Sequence, residues 1–374
     1  MGTPLDLGIR FIVEPSGIEL SDDEAAMLAE LRPAGIMLRR RNFRRDADYS
    51  AWIATLENLL GSVRAAVGRD RIIVSIDHEG GQVHRAPPPI TRFPYPAFYA
   101  AEPQAVDSVA AAMAEELKSI GVNVSFSPCA DIHSNPLNPV INQRAFGTTA
   151  QEVTAAATRF ATGLRAGGIT PCAKHFPGHG DTSTDSHVEL PVVNRSKAEL
   201  QQRELAPFAA LIHANIEMIM SAHIMLPQLD PAAPATISKA IMTDLLRGEL
   251  GFRGITIADA LGMKGISSRV SPQDLGVQAH EAGIDLFLMV GDTVSMRDAL
   301  TARAALSRYA TTTPAAMESL RDTEQRLSRF LADLPQHRCE ALSERSLSAH
   351  AKLADELGKN AQWAHFSFDP VGFT

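Results

Sequence analysis

The chain has 374 residues, enough for one large barrel domain or two ordinary ones. Its 45% hydrophobic and 21% charged residues describe a soluble globular protein, and a net charge of −8 argues against a nucleic-acid surface, which is usually basic. No stretch approaches the ~20 apolar residues of a membrane span, and the N-terminus lacks the basic and apolar regions of a signal peptide. Asp6 stands where a myristoylation signal would want Ser or Thr. Cys129, Cys172 and Cys339 have no metal or redox spacing and read as free thiols in a reducing compartment. These features lead us to expect a cytoplasmic enzyme with no membrane or nucleic-acid partner.

In chain order, the run 7–13 reads as a strand, and Ser21-Asp22-Asp23-Glu24 offers a capping box for a helix through Leu31. Strand 35–38, helix 49–67 and strand 72–76 follow. The alternation continues with helix 106–120 and strand 122–126, then helix 152–166 and strand 168–173. Helix 198–214 leads to strand 218–221, helix 239–250 to strand 255–258, and helix 272–282 to strand 284–289. Helices near 296–310, 315–331 and 339–357 and an aromatic tail, 363–374, complete the chain. About eight strands alternating with helices match a (β/α)8 TIM-type barrel of the α/β class. We expect one domain over residues 1–374, with the helices from about 295 packed on the barrel. Asp77, Asp131, Lys174, His175, His223 and Asp259 each fall at or just past the C-terminal end of an expected strand, the face where barrel enzymes place their chemistry.

The densest chemistry is Lys174-His175-Phe176-Pro177-Gly178-His179-Gly180-Asp181-Thr182-Ser183-Thr184-Asp185-Ser186-His187. Its Gly, Pro and polar composition describes a loop. Three readings compete: a metal site, a loop tied to itself by polar side chains, and an acid/base dyad Asp185-x-His187. The spacing of His175 and His179 suits zinc only on a helix, which Pro177, Gly178 and Gly180 oppose, so no metal site is expected.

This loop resembles the signature of bacterial β-N-acetylglucosaminidases of glycoside hydrolase family 3, single-domain type. The resemblance implies that His187 is the general acid/base, that Asp185 is its partner, and that Lys174 and His175 bind sugar hydroxyls. The segment 245–262 resembles the family's nucleophile signature, which makes Asp259 the nucleophile. Ala258 departs from it, since the family usually has Ser or Thr there; without the resemblance, Asp259 would equally suit a helix cap.

Ser75-Ile76-Asp77-His78-Glu79-Gly80-Gly81-Gln82-Val83-His84-Arg85 resembles the family's sugar-binding segment. The resemblance gives Asp77 and Arg85 contacts to the terminal sugar, with His78 in place of a more usual Gln. A Gly-rich turn braced by an ion pair is the plainer reading. Asn142-Gln143-Arg144-Ala145-Phe146-Gly147 resembles a further substrate segment and makes Arg144 a sugar ligand, with Asp131 and Asn138 as loop supports. His223 is secondary, either touching substrate or supporting the nucleophile loop. The run Arg39-Arg40-Arg41 reads as a solvated face or as a contact for an anionic group.

Together these roles describe a retaining exo-glycosidase, with Asp259 attacking the anomeric carbon and the Asp185–His187 dyad moving the proton. The implied substrate is terminal β-linked N-acetylglucosamine, on an oligosaccharide or muropeptide of peptidoglycan recycling, and no cofactor enters. Phosphorolysis with the same motifs is the alternative, followed by a non-catalytic sugar-binding protein.

Overall fold

Eight short parallel strands are arranged in the order β7-β6-β5-β4-β3-β2-β1-β8 in a computed structural model that describes residues 4–184, 190–291 and 293–360. They are β1 (Phe11–Val13), β2 (Gly35–Leu38), β3 (Ile73–Ile76), β4 (Val124–Ser125), β5 (Thr170–Phe176), β6 (Met218–Ser221), β7 (Ile255–Ala258) and β8 (Phe287–Met289). The ring closes where β7 meets the residues leading into β8. Ile257 bridges Leu286, and the Ala258 amide donates to Leu286 O at 3.0 Å. This is the expected (β/α)8 barrel.

Strand alternation explains how the barrel is filled. Ile12, Met37, Ile73, Val124, Cys172, Met218, Ile255, Ile257 and Leu288 form one buried apolar cluster inside the ring. Their strand neighbours, including Val13, Ile36, Val74, Ala173, Ile219 and Phe287, pack outward against the helices. Continuing the inward series in steps of two residues reaches Asp77 from Ile73 by way of Ser75, Lys174 from Cys172 and Asp259 from Ile257. The same alternation that builds the core therefore delivers charged groups to the barrel mouth.

The helices are α1 (Asp22–Leu31), α2 (Tyr49–Val67), α3 (Pro103–Ser119), α4 (Ala150–Ala166), α5 (Lys197–Gln202) and α6 (Leu205–His213). After a π-helical segment, Ala240–Glu249, come α7 (Lys264–Ser267), α8 (Pro272–Ala282), α9 (Met296–Ala310), α10 (Pro314–Asp333) and α11 (Glu344–Asn360). The Ser21–Glu24 capping box forms as expected, and Gly68 in a left-handed conformation ends α2. Leu327 and Leu331 of α10 join the inner cluster with Leu334 and plug the barrel at the N-terminal ends of the strands.

Four expectations needed correction. The first run begins as a 3₁₀ turn, Leu7–Arg10, because Arg10 turns into the barrel floor. The expected helix 198–214 breaks at Arg203 and Glu204, whose side chains are drawn toward Asp181 and Gly178. Cys339 bridges Ile120 instead of starting a helix. Lastly, β5 runs through Lys174, His175 and Phe176, so these residues belong to a strand rather than to the loop after it.

Candidate active site

At the end of β3 the chain makes a tight turn in which Val83 O accepts from the amides of Glu79 (2.9 Å) and Gly80 (3.3 Å). Gly80 and Gly81 have φ of +102° and +56°, and a Cβ on Gly81 would lie 2.3 Å from the Tyr95 ring, so only glycine fits. The turn holds Asp77 and Glu79 over the barrel. Lys174 Nζ, from β5, sits 2.7 Å from Asp77 Oδ1 and 2.6 Å from Glu79 Oε1. Arg144 adds a two-pronged contact to Glu79, at 2.8 Å from Nε and 2.9 Å from Nη2.

Burial makes this network demanding. Glu79 and Lys174 are 1% and 3% exposed at their side chains, whereas Asp77 retains 24%. Burial alone would discharge all three. Lys174 and Arg85 reverse that for Asp77, and Arg144 and Lys174 reverse it for Glu79, so both carboxyls lie below their ordinary range. Burial also pushes Lys174 down, but the two carboxylates more than offset it and raise its pKa. Arg85 is buried beside Asp77, and burial lowers its pKa against the pull of that carboxylate. Asp77 is thus the most exposed member of an otherwise sealed set, with an oxygen able to accept hydrogen bonds from a ligand in the mouth.

A second cluster forms where β4 and β5 end. Asp131, fully buried, accepts from the amides of His175 (3.2 Å) and His179 (2.6 Å) and lies 2.6 Å from His175 Nδ1. Burial raises the Asp131 carboxyl, but the His175 imidazole and the His179 amide hold it at about 2. The pair fixes the orientation of the His175 ring, with Nδ1 held against Asp131 and Nε2 turned away from it. Asn138 clasps the following loop, donating to His179 O (2.8 Å), Gly180 O (3.1 Å) and Thr182 Oγ1 (3.0 Å). A Cβ on Gly180 would sit 1.6 Å from Ile132 O, so the loop lies directly on the 130–138 segment. Cys129, Asp131 and His175 place three possible ligand atoms within 4.8 Å of one another. The Asp131 oxygens, however, are committed to two amides and an imidazole, which reads as a device for orienting His175.

Asp259 emerges from β7, its amide donating to Ser221 O at 3.2 Å and its Oδ1 accepting from Ala260 N at 2.7 Å. His223 stands behind it. Its Nε2 lies 3.1 Å from Ala260 O and its Nδ1 2.8 Å from Thr236 Oγ1. Of the two roles open to His223, these contacts favour support of the loop that carries Asp259. Ala258 is buried in the outward apolar layer, so the hydroxyl absent there would face the helices instead of the Asp259 carboxylate. The Cys172 thiol, just inside the mouth, feels the charges of Lys174, Asp77 and Asp259 together.

Asp77, Arg85, Arg144, Lys174, His175 and Asp259 therefore gather at one end of the barrel. Asp185 and His187 lie outside the described residues. Glu79 was not singled out from sequence, although the alternation that reaches Asp77 also reaches Glu79 two residues later. Thr236 gave no sequence signal, because only the fold brings it to His223.

Residues 7–330 match the model of the glycosyl hydrolase family 3 N-terminal domain. β-Hexosaminidase A of Pseudoalteromonas piscicida is 33% identical across 96% of this chain, which spans 65% of that protein, just under two thirds of its length. β-Hexosaminidase of Methylococcus capsulatus is 37% identical, covering 77% of this chain and 86% of its own. Among solved structures, a family 3 β-N-acetylglucosaminidase from Paenibacillus sp. str. FPU-7 superposes with a TM-score of 0.83 at 29% identity, covering 96% of this chain and 69% of that one. NagZ from Neisseria gonorrhoeae in complex with N-trifluoroacetyl-D-glucosamine gives 0.72 at 27% identity, covering 94% and 97%.

Proposed function

The chain belongs to glycosyl hydrolase family 3, and from that premise we propose that it is a retaining exo-glycosidase that removes terminal, non-reducing β-linked N-acetylglucosamine. The observation that carries this reading is the placement of Asp259. Its strand, β7, lies four places from β3 in an eight-strand ring, so Asp259 faces the Asp77–Lys174–Glu79–Arg144 network across the barrel mouth. A sugar bound between them presents its anomeric carbon to Asp259 and its far hydroxyls to Asp77, Arg85, Arg144 and Lys174. His175, oriented by Asp131, holds a further hydroxyl.

In the first half-reaction an Asp259 oxygen bonds to the anomeric carbon as the bond to the departing oxygen breaks, and His187 gives that oxygen its proton. In the second, water loses a proton to His187 and displaces Asp259, which regenerates the β-anomer. Asp185 stabilises the imidazolium that His187 carries before the first step and regains in the second. Names of relatives as β-hexosaminidases and β-N-acetylglucosaminidases support the choice of sugar. We read the chain as one domain acting in the cytoplasm on peptidoglycan fragments during cell-wall recycling. No helix among the described residues is long and apolar enough to cross a membrane.

The test is release of nitrophenol from nitrophenyl β-N-acetylglucosaminide in phosphate-free buffer containing a chelator. Turnover lost in Asp259→Asn is the expected result. Turnover that appears only on adding phosphate would replace hydrolysis by phosphorolysis, and binding without turnover under either condition would leave a sugar-binding protein.

A further inference from the structure

The far side of the barrel mouth carries a charge pattern that a neutral sugar does not require. The chain has a net charge of −8, yet Arg39, Arg40, Arg45, Arg85 and Arg92 gather around the β2 and β3 loops. Arg40 Nε and Nη2 each lie 3.4 Å from a carbonyl of the β3 turn, those of His84 and Gln82, and Arg92 donates to Gly81 O in the same turn. These two guanidinium groups are therefore fixed on a single four-residue turn whose next residue is Arg85. Glu14 offsets Arg39, at 3.6 Å, and Asp77 offsets Arg85. Among the described residues, Arg40, Arg45 and Arg92 have no carboxylate within ion-pair distance.

A second observation comes from beneath the turn. His78 is fully buried, and neither of its ring nitrogens has a hydrogen-bond partner; the same holds for Nδ1 of His84, whose ring centre is 4.4 Å away. Burial and the surrounding arginines depress both imidazoles, His84 to about 4, so both are neutral and each can offer a donor. These neutral rings lend the rim arginines no negative charge, and guanidinium groups held on one turn without a counter-charge are an arrangement that an oxyanion completes.

Position identifies the substrate atom concerned. With the anomeric carbon at Asp259 on β7, the opposite end of the pyranose, carrying C4 and the exocyclic C6, reaches the β3 turn. We propose that this arginine-rich rim is a subsite for a tetrahedral oxyanion ester, phosphate or sulfate, on C6 of the terminal N-acetylglucosamine. The inference rests on the functional reading above and narrows its substrate class. Arg fits this role because its planar fork binds such oxygens in pairs and its charge persists at every working pH.

The test is calorimetric titration of the full chain with N-acetylglucosamine, its 6-phosphate, its 6-sulfate and inorganic phosphate. The expected result is that one or both esters bind at least about tenfold more tightly than the neutral sugar, and that raising salt erodes this preference. In the double variant Arg45→Gln/Arg92→Gln the ester-to-neutral ratio should fall by about tenfold or more. Both positions are exposed, so the fold is not at risk, and Arg40→Gln provides an independent single-site check. Equal affinity for esters and neutral sugar would overturn the subsite while leaving the glycosidase reading intact. So would phosphate binding that fails to compete with the esters, which would mark an adventitious ion only. Failure of any sugar to bind would remove the parent reading and the subsite with it.

Discussion

Two buried ion networks sit at opposite ends of the barrel, and they are built on different terms. At the floor, Asp285 accepts from Arg247 (2.6 Å), Arg326 (3.0 Å) and the amide and hydroxyl of Thr256 (2.9 and 3.1 Å). Arg10 donates to the carbonyls of Ile284 and Asp285 and stacks over Phe287 at 4.4 Å. The Asp285 side chain is 2% exposed, and its oxygens are saturated by protein donors. At the mouth, Glu79 is equally sealed, but Asp77 keeps a quarter of its side chain open. A saturated network can only hold elements together, whereas one with an open carboxylate can exchange water for substrate hydroxyls. The comparison separates stability from function by geometry, along the axis on which barrels divide the two.

Substitutions at each end test that division. Asp285→Asn removes the counter-charge beside buried Arg10 and part-buried Arg247 and Arg326 and should cost about 3 kcal/mol of stability. Chemical denaturation should register it while kcat/KM of the folded enzyme stays within about twofold, since the change lies far from the mouth. Glu79→Gln should do the reverse in emphasis. It releases Lys174 and Arg144 together, and misplacing these proposed sugar contacts should lower kcat/KM by about a hundredfold. Intact activity in Glu79→Gln, or an activity loss in Asp285→Asn that outstrips its loss of fold, would remove the distinction. Asp131→Asn frees the His175 ring, and loss of one charged hydrogen bond should cost about tenfold in kcat/KM. Thr236→Val touches only the support of His223 and should cost about 1 kcal/mol, a few-fold in rate.

Acid should separate the ends less strongly, because both hold neutral imidazoles. Burial lowers His179 and His84 to about 4 at the mouth and His280 to about 3 at its place on α8, all from 6.5. As pH falls below 6.5 the unfolded chain takes up these protons while the folded chain does not, so stability declines until the folded values are reached. Each group contributes at most about 1.4 kcal/mol per pH unit across that window. His280→Gln should therefore flatten the decline in denaturation midpoint between pH 6 and 4 by about one proton's slope. Asp131 acts in a lower window: its stabilisation is complete above 3.8 and disappears as pH falls through about 2.

Much of the fold and of the site is legible in the sequence because strand alternation and strand ends are local properties. The series Ile73-Ser75-Asp77 and Ile255-Ile257-Asp259 mark both the core and the mouth by their spacing alone. What escapes is tertiary. Nothing in sequence pairs Glu79 with both Lys174 and Arg144, or Thr236 with His223. The break of the helix at Arg203 likewise answers to Asp181, a residue on another segment. Asp131 is legible as a loop support, but its grip on His175 requires the β4 and β5 ends to lie side by side.

The proposed reaction turns on a covalent glycosyl–Asp259 intermediate. It is tested most directly by trapping the enzyme with a fluorinated N-acetylglucosamine donor that slows the second half-reaction, followed by mass analysis of the protein and its peptides. The expected result is one added sugar on the peptide carrying Asp259, released on standing as activity returns. A sugar on another residue, or steady turnover with no adduct at any time and the α-anomer as first product, would contradict it.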